Sequence, residues 1–150
     1  MYSWGKMKNR NLPHSDDWAT PAYVKDVLNS EFNFNFDPCP IKHDIAKWDA
    51  LQIEWKERNF INPPYSVKLK TKFIEKAVEE SKKGKLCVLL LPVSTSTKLF
   101  HDIILKNISE PVRFCKGRIK FVGYNTKGEL VSNKTPMHDN MVVIFDGRGK

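Results

Sequence analysis

The sequence predicts an α/β fold: one sheet with a parallel centre and antiparallel final strands, with helices on its faces. Three observations lead there. Short apolar stretches alternate with amphipathic ones over residues 58 to 107, the order of strand, helix, strand and helix. Leu86 to Leu91 is continuously apolar, the pattern of a central strand covered on both faces. The 150 residues show no repeat and no linker, so residues 16 to 150 are expected as a single domain and residues 1 to 15 as a flexible basic arm.

In chain order, Thr20-Pro21 predicts a helix start, since Thr caps well and Pro suits a first turn. Val24, Val27 and Leu28 follow at helical spacing, which carries the helix to about Leu28. Phe32 to Phe36 alternates Phe and Asn with the period of a strand. It stops at Asp37-Pro38-Cys39-Pro40, where two prolines end any regular element, so Asp37 is expected at a strand's carboxyl end. Residues 41 to 57 fit neither period and predict irregular structure or a short helix, with Trp48, Trp55 and the phenylalanines mostly in the core. Phe60-Ile61 predicts a short strand running into Asn62-Pro63-Pro64-Tyr65. Leu69, Phe73, Ile74, Ala77 and Val78 then make one helical stripe, with Ser66 to cap its start and Gly84 its end.

Pro92 closes the central strand, and Ser96 or Thr97 caps a helix carrying Leu99, Phe100, Ile103 and Ile104 to about Asn107. Val112 to Cys115, Arg118 to Val122 and Met141 to Phe145 predict the last strands, with a turn-rich segment from Gly123 to Lys134. In open sheets of this kind, ligands bind at the carboxyl ends of strands. Both proline turns fall there.

A composition of 41% hydrophobic and 28% charged residues excludes overall disorder. Cys39, Cys87 and Cys115 are widely spread, which is no disulfide framework and points to a reducing, cytoplasmic setting. The longest apolar run, Leu86 to Pro92, is too short for a bilayer, and MYSWGKMKNR at the start has no apolar signal core, so no membrane is expected. Cys39 and His43 invite a zinc reading, but no second close Cys or His pair follows and no metal is expected.

With 25 Lys and Arg against 17 Asp and Glu, the net charge of +8 points to a polyanionic partner. The charge is uneven. Residues 11 to 65 carry 5 basic and 9 acidic side chains, 66 to 85 carry 7 and 3, and 106 to 134 carry 7 and 2. An acidic first half suits a pocket for something small and cationic. The basic second half, with Lys6, Lys8 and Arg10, suits phosphates, although for any single run a solvated lysine face is the plain alternative.

Asn62-Pro63-Pro64-Tyr65 is the most specific feature, and its chemistry fits activation of a planar amine. The amino nitrogen of adenine is a poor nucleophile because its lone pair is delocalised into the ring. The Asn62 side-chain oxygen and the Pro63 carbonyl can both accept hydrogen bonds from that group, and rigid prolines fix the two acceptors in advance. Tyr65 can stack on the flat base. An attacked methyl on a sulfonium needs no strong general base, so orientation does most of the catalysis.

Asn-Pro-Pro-Tyr after a short strand resembles the signature of S-adenosylmethionine-dependent amino-methyltransferases. The wider pattern resembles the phage and prophage Dam-type DNA N6-adenine methyltransferases over residues 16 to 146. It consists of Asp17-Trp18-Ala19-Thr20-Pro21, Phe34-Asn35-Phe36-Asp37-Pro38-Cys39, Trp55 with Phe60 to Ser66, Leu89 to Thr95, Gly117-Arg118-Ile119-Lys120-Phe121 and Met141 to Phe145. The resemblance implies a shortened methyltransferase-type, Rossmann-like sheet, S-adenosylmethionine as methyl donor, and adenine flipped out of double-stranded DNA as acceptor. It implies a phage- or prophage-encoded enzyme working in bacterial cytoplasm. Thr20 and Pro21 should lie against the cofactor, Asp37, Pro38 and Cys39 should form its pocket, and Asn62, Pro63, Pro64 and Tyr65 should hold the base.

Ser66, Lys68, Arg118 and Lys120 are the candidate nucleic-acid contacts, the last two sharing one face of a strand; residues 123 to 140 are the candidate reading loop. Thr20-Pro21 is equally explained as an ordinary helix cap.

Two departures stand out. The turn after Asp37 has no glycine, where many methyltransferases have several. Only 24 residues separate Asp37 from Asn62, whereas a full nucleotide-binding half needs several units of about 30 residues or more. The acidic residue that grips the cofactor ribose would come from the missing strands, and Asp44 or Asp49 are the available substitutes. Methylation of RNA or of a protein glutamine amide, and a non-catalytic nucleic-acid-binding relative, are the alternative readings.

Overall fold

The computed structural model describes residues 18–41, 43–124, 127–132 and 136–149. The expected basic arm, with Lys6, Lys8 and Arg10, lies outside them. The elements are β1 (Trp18–Ala19), α1 (Ala22–Phe32), β2 (Arg58–Ile61), α2 (Val67–Lys82), β3 (Leu86–Pro92), a π-helical Leu99–Ile104 running into α3 (Leu105–Asn107), β4 (Arg113–Phe114), β5 (Val122–Tyr124), β6 (Leu130–Ser132) and β7 (Asn140–Asp146). The larger sheet has the order β2-β3-β7-β4, and a small one has the order β1-β5-β6.

The expected parallel centre reduces to one pair. β2 runs parallel to β3, with Phe60 opposite Val88, but β7 pairs antiparallel with β3 along its whole length and β4 is antiparallel to β7. β4 and β7 are connected through β5 and β6 with no helix among the described residues, and antiparallel neighbours need no crossover helix. The antiparallel finish is as expected.

Strand alternation divides the core into two layers. Leu86, Val88 and Leu90 of β3 join Phe60, Val142, Ile144 and Leu28 of α1 on one face. Cys87, Leu89 and Leu91 join Ile61, Val143, Phe145 and the α2 stripe of Phe73, Ile74, Ala77 and Val78 on the other. β3 is buried at every position, as a strand covered on both faces must be.

Other elements differ from expectation in instructive ways. α1 runs beyond Leu28 to Phe32 and ends where Asn33 turns left-handed at φ 53°, its N–H bonding the Asn29 carbonyl. The strand expected over Phe32 to Phe36 shrinks to one parallel bridge, Phe36 to Asn59. The bonding there is irregular: Asn35 N and Phe36 N both donate to the Arg58 carbonyl, at 2.9 and 3.2 Å, and asparagine side chains take two further N–H groups. Asn29 Oδ1 accepts from Phe34 N at 2.9 Å, and Asn35 Oδ1 accepts from Arg58 N at 3.0 Å. Between Arg118 and Phe121 the predicted alternation is present, with Ile119 and Phe121 buried and Arg118 and Lys120 exposed, but ladder pairing begins only at Val122.

Residues 43 to 57 form turns, anchored by a buried ion cluster. Glu80 of α2, 0% exposed, accepts from Trp55 N at 2.9 Å and from Lys85 Nζ at 2.6 Å through Oε1, and from Lys76 and Lys83 at 2.9 and 3.0 Å through Oε2. Thr97 caps the π-helical turn by accepting from Phe100 N at 3.2 Å. Ser66 precedes α2, but its side chain makes no capping bond to the helix. No helix among the described residues is long and apolar enough to cross a membrane.

Candidate active site

β2 delivers the motif. At Asn62 the chain leaves the sheet, and Pro63 and Pro64, both buried and without N–H groups, stiffen the exit. Asn62 is 9% exposed, and its Nδ2 donates to the Trp18 carbonyl at 3.1 Å. That bond commits the amide nitrogen to the protein and leaves Oδ1 as its acceptor end. Trp18 is in place because β1 pairs with β5, Trp18 opposite Gly123. The segments Trp18 to Pro21 and Asn62 to Tyr65, far apart in sequence, are thus neighbours.

Thr20 follows β1, and Pro21 rather than Thr20 occupies the cap position of α1. The buried Thr20 Oγ1 has no hydrogen-bond partner among the described residues. Such a hydroxyl costs free energy unless something else bonds it.

Tyr65 is half-buried. Its hydroxyl accepts from Asn140 Nδ2 at 2.9 Å, and its ring meets Phe121 at 5.9 Å and His138 at 5.7 Å, each inclined by 77°. Burial pushes its pKa up to about 12, against the opposing effect of the Asn140 bond.

Asp37 stands beyond the Phe36 bridge. Its Oδ1 accepts from Cys39 N at 2.9 Å and its Oδ2 lies 3.5 Å from Lys25 Nζ. Burial raises its pKa, although the Cys39 N–H and Lys25 pull the other way. Beside it lies a cavity of about 390 Å³ lined by Lys25, Asp26, Phe34, Phe36 and Phe60 among others, acidic and aromatic in character. Phe60 links this cavity to β2. Asn62 is not among its lining residues.

The other expected residues fall into place less directly. Pro38 and Asp49 line one narrow crevice together with His43, Ala50 and Phe73, so Asp49 neighbours the Asp37-Pro38 turn. Its Oδ1 holds Leu51 N at 3.0 Å; Asp44 instead holds Ala46 N at 3.0 Å and is not part of the crevice. The Cys39 side chain is in the hydrophobic core, its thiol pushed well up by burial and then by Asp37, so only its backbone reaches the turn. Lys68 and Lys120 are exposed. Arg118 is exposed too, but its guanidinium is engaged by Asp139 Oδ1 at 3.1 Å and the Pro136 carbonyl at 3.3 Å.

His43 puts Nε2 2.6 Å from the Trp48 carbonyl and lies against the Trp48 ring at a tilt of 43°, and no group of three His, Cys, Asp or Glu among the described residues is arranged to hold a metal ion. Residues 125, 126 and 133 to 135 of the candidate reading loop lie outside the described residues.

Trp18 stands in the quoted pattern, and His138 and Asn140 fall in the candidate reading loop, but sequence reasoning missed the contacts of the Trp18 carbonyl with Asn62 and of Asn140 and His138 with Tyr65. Only Asn140 left a signal: it is the polar opening residue of an otherwise apolar strand.

The family described as DNA N-6-adenine-methyltransferase (Dam) matches residues 8–148. The chain is 32% identical over 149 residues to the DNA N-6-adenine-methyltransferase of Haemophilus phage HP1 (strain HP1c1), which covers 92% of this chain and 83% of that protein. No solved structure matches. The chain therefore belongs to the DNA N-6-adenine-methyltransferase (Dam) family and is an adenine-specific DNA methyltransferase.

Proposed function

We propose that the enzyme uses S-adenosylmethionine as methyl donor and acts on an adenine flipped out of duplex DNA, held by Asn62 to Tyr65. The observation that carries this reading is the anchoring of the Asn62 amide nitrogen on Trp18, which frees Oδ1 as a fixed acceptor. Oδ1 and the Pro63 carbonyl take the two hydrogens of the adenine amino group and draw its lone pair out of the ring. Acceptors fixed in advance cost no reorganisation during reaction. Tyr65 supplies the stacking surface. A paired adenine cannot reach these groups, so the base must leave the helix.

The residues around Asp37 fit the cofactor. A cavity of about 390 Å³ lies within the usual range of small-molecule sites. Its three phenylalanine rings with Asp26 and Asp37, the latter paired with Lys25, suit a cationic ligand with a flat base; the unpartnered Thr20 hydroxyl is not among the lining residues and is a separate polar group without a partner among the described residues. When bound, S-adenosylmethionine supplies an electrophilic methyl group on a sulfonium. Asp37 would face the cationic part of the molecule, Thr20 and Pro21 would pack against it, and Asp49 beside Pro38 takes the ribose role in place of Asp44. The parallel run of Phe36, β2 and β3 supports a shortened Rossmann-like sheet in which Asp37 and Asn62 both follow carboxyl ends. Residues 16 to 150 act as one unit, Ser66, Lys68 and Lys120 contact phosphates, and the phage relative supports a phage or prophage origin and work in the host cytoplasm.

The test is incubation with S-adenosylmethionine labelled in its methyl group and duplex DNA, then nuclease digestion and base analysis. Label in N6-methyladenine is expected. Label in cytosine, in RNA supplied as competitor, or in protein would overturn the assignment.

A further inference from the structure

Asn140 belongs to no motif, yet at 1% exposure it is one of the most enclosed polar side chains in the protein. β7 is apolar from Met141 to Phe145, so a buried amide at its first position needs partners. It has two. Nδ2 donates to the Tyr65 hydroxyl at 2.9 Å and to the Leu91 carbonyl at 3.3 Å. Both amide hydrogens are engaged, which leaves the side chain one orientation.

The backbone beneath it is fixed as well. Asn140 sits opposite Pro92, which has no N–H for the ladder, and its carbonyl accepts from Cys115 N at 2.9 Å. Next to it, the Asp139 carbonyl accepts from Val93 N at 2.9 Å. Asn140 is therefore a rigid post at the end of the central strand pair. Tyr65 is tied at both ends, by the proline corner through its backbone and by this post through its hydroxyl. Phe121 and His138 pack edge-on with the Tyr65 ring, at 5.9 and 5.7 Å, and add to its fixed orientation.

We propose that Asn140 is a positioning residue for adenine methylation: by holding the Tyr65 hydroxyl against the end of β3 it sets the plane on which the flipped adenine stacks, and hence the alignment of the amino nitrogen with Asn62. This rests on the base-holding role assigned to Asn62 to Tyr65. Alignment is where such a contact matters, since small displacements of a reacting atom slow a reaction far more than they weaken binding. An apolar residue of the same size at 140 would fill the space and still leave the Tyr65 hydroxyl without this donor.

The experiment is a double-mutant cycle in the full chain, with Asn140→Ala, Tyr65→Phe and the pair. Single-turnover methyl transfer at saturating DNA, DNA affinity and thermal unfolding are measured on each. Each single variant is expected to slow methyl transfer about 10- to 100-fold with DNA affinity little changed. The double variant is expected to be no slower than the worse single one, because both remove the same bond. Losses that multiply in the double variant would mean that Asn140 acts elsewhere, and would overturn the proposal.

Tyr65→Phe leaves Asn140 bound to Leu91, so it decides the matter even if Asn140→Ala fails to fold: a wild-type rate there overturns the proposal. Tyr65→Ala separates the two levels. If it is slow while Asn140→Ala and Tyr65→Phe are not, only the positioning role is lost; if it too keeps the wild-type rate, the base-holding reading falls as well.

Discussion

Tyr65 and Asp37 are both shifted by burial, with opposite consequences. With its pKa pushed up to about 12, Tyr65 is neutral at any working pH, so stacking on its ring has no titration of its own. Replacing it by Ala removes the platform and should weaken the hold on the flipped base by about 1–3 kcal/mol, read from DNA affinity and turnover. Asp37 is raised above the ordinary aspartate value by burial, so the folded protein binds that proton more tightly than the unfolded chain does. Ionising it subtracts from stability as pH rises through the raised value, and a cationic ligand offsets that cost. Affinity for S-adenosylmethionine should therefore fall as pH is lowered through the raised Asp37 pKa, and Asp37→Asn should weaken binding and flatten the profile. Calorimetry across that range checks it; an unchanged profile in the variant would remove Asp37 from the cofactor site. Asn62, Tyr65 and Asp37 were legible because proline turns mark them. Asn140 was not, since its role depends on a contact with residues far away in sequence.

The elements with a single clean period were the readable ones. β3 and α2 follow their apolar patterns, while Phe32 to Phe36 reads as a strand and is mostly not one, because α1 runs on to Phe32, Asn33 turns left-handed and the Asn29 side chain takes the Phe34 N–H. Residues 41 to 57 were unreadable for a related reason: side-chain bonds, above all those of Glu80, hold them. Burial pushes Glu80 up, but bonds from Lys85, Lys76, Trp55 N and Lys83 outweigh it and bring its pKa down to about 2. A depressed folded pKa means that this stabilisation is present above the ordinary glutamate value of 4.5 and is lost as pH falls from there toward about 2. Removing one partner of a buried ion cluster costs about 3–5 kcal/mol, so Glu80→Ala should lower unfolding stability by that amount, measured by urea denaturation near neutral pH. A loss below about 1 kcal/mol, the range of an exposed pair, would show that the cluster does not hold the segment.

At the scale of the molecule, the two sheets bring distant segments together: Asn62 bonds the Trp18 carbonyl, Asn140 bonds Tyr65, and Phe60 joins β2 to the cavity of Asp37. A layered α/β chain with an antiparallel finish was legible from composition and period, but the second sheet and the reduction of the parallel centre to one pair were not, since pairing partners leave no mark in a local pattern. The net charge of +8 implies phosphate contacts, so DNA affinity should fall at least about tenfold between 50 and 200 mM salt. Salt-independent binding would remove the electrostatic component.

The central claim is that a fixed oxygen of Asn62 activates the adenine nitrogen. Its most direct test is the single-turnover rate of methyl transfer by Asn62→Ala, with DNA and cofactor saturating and folding verified. A fall of about 100-fold or more is predicted, as for loss of one preorganised polar partner. A wild-type rate in the folded variant would contradict the account.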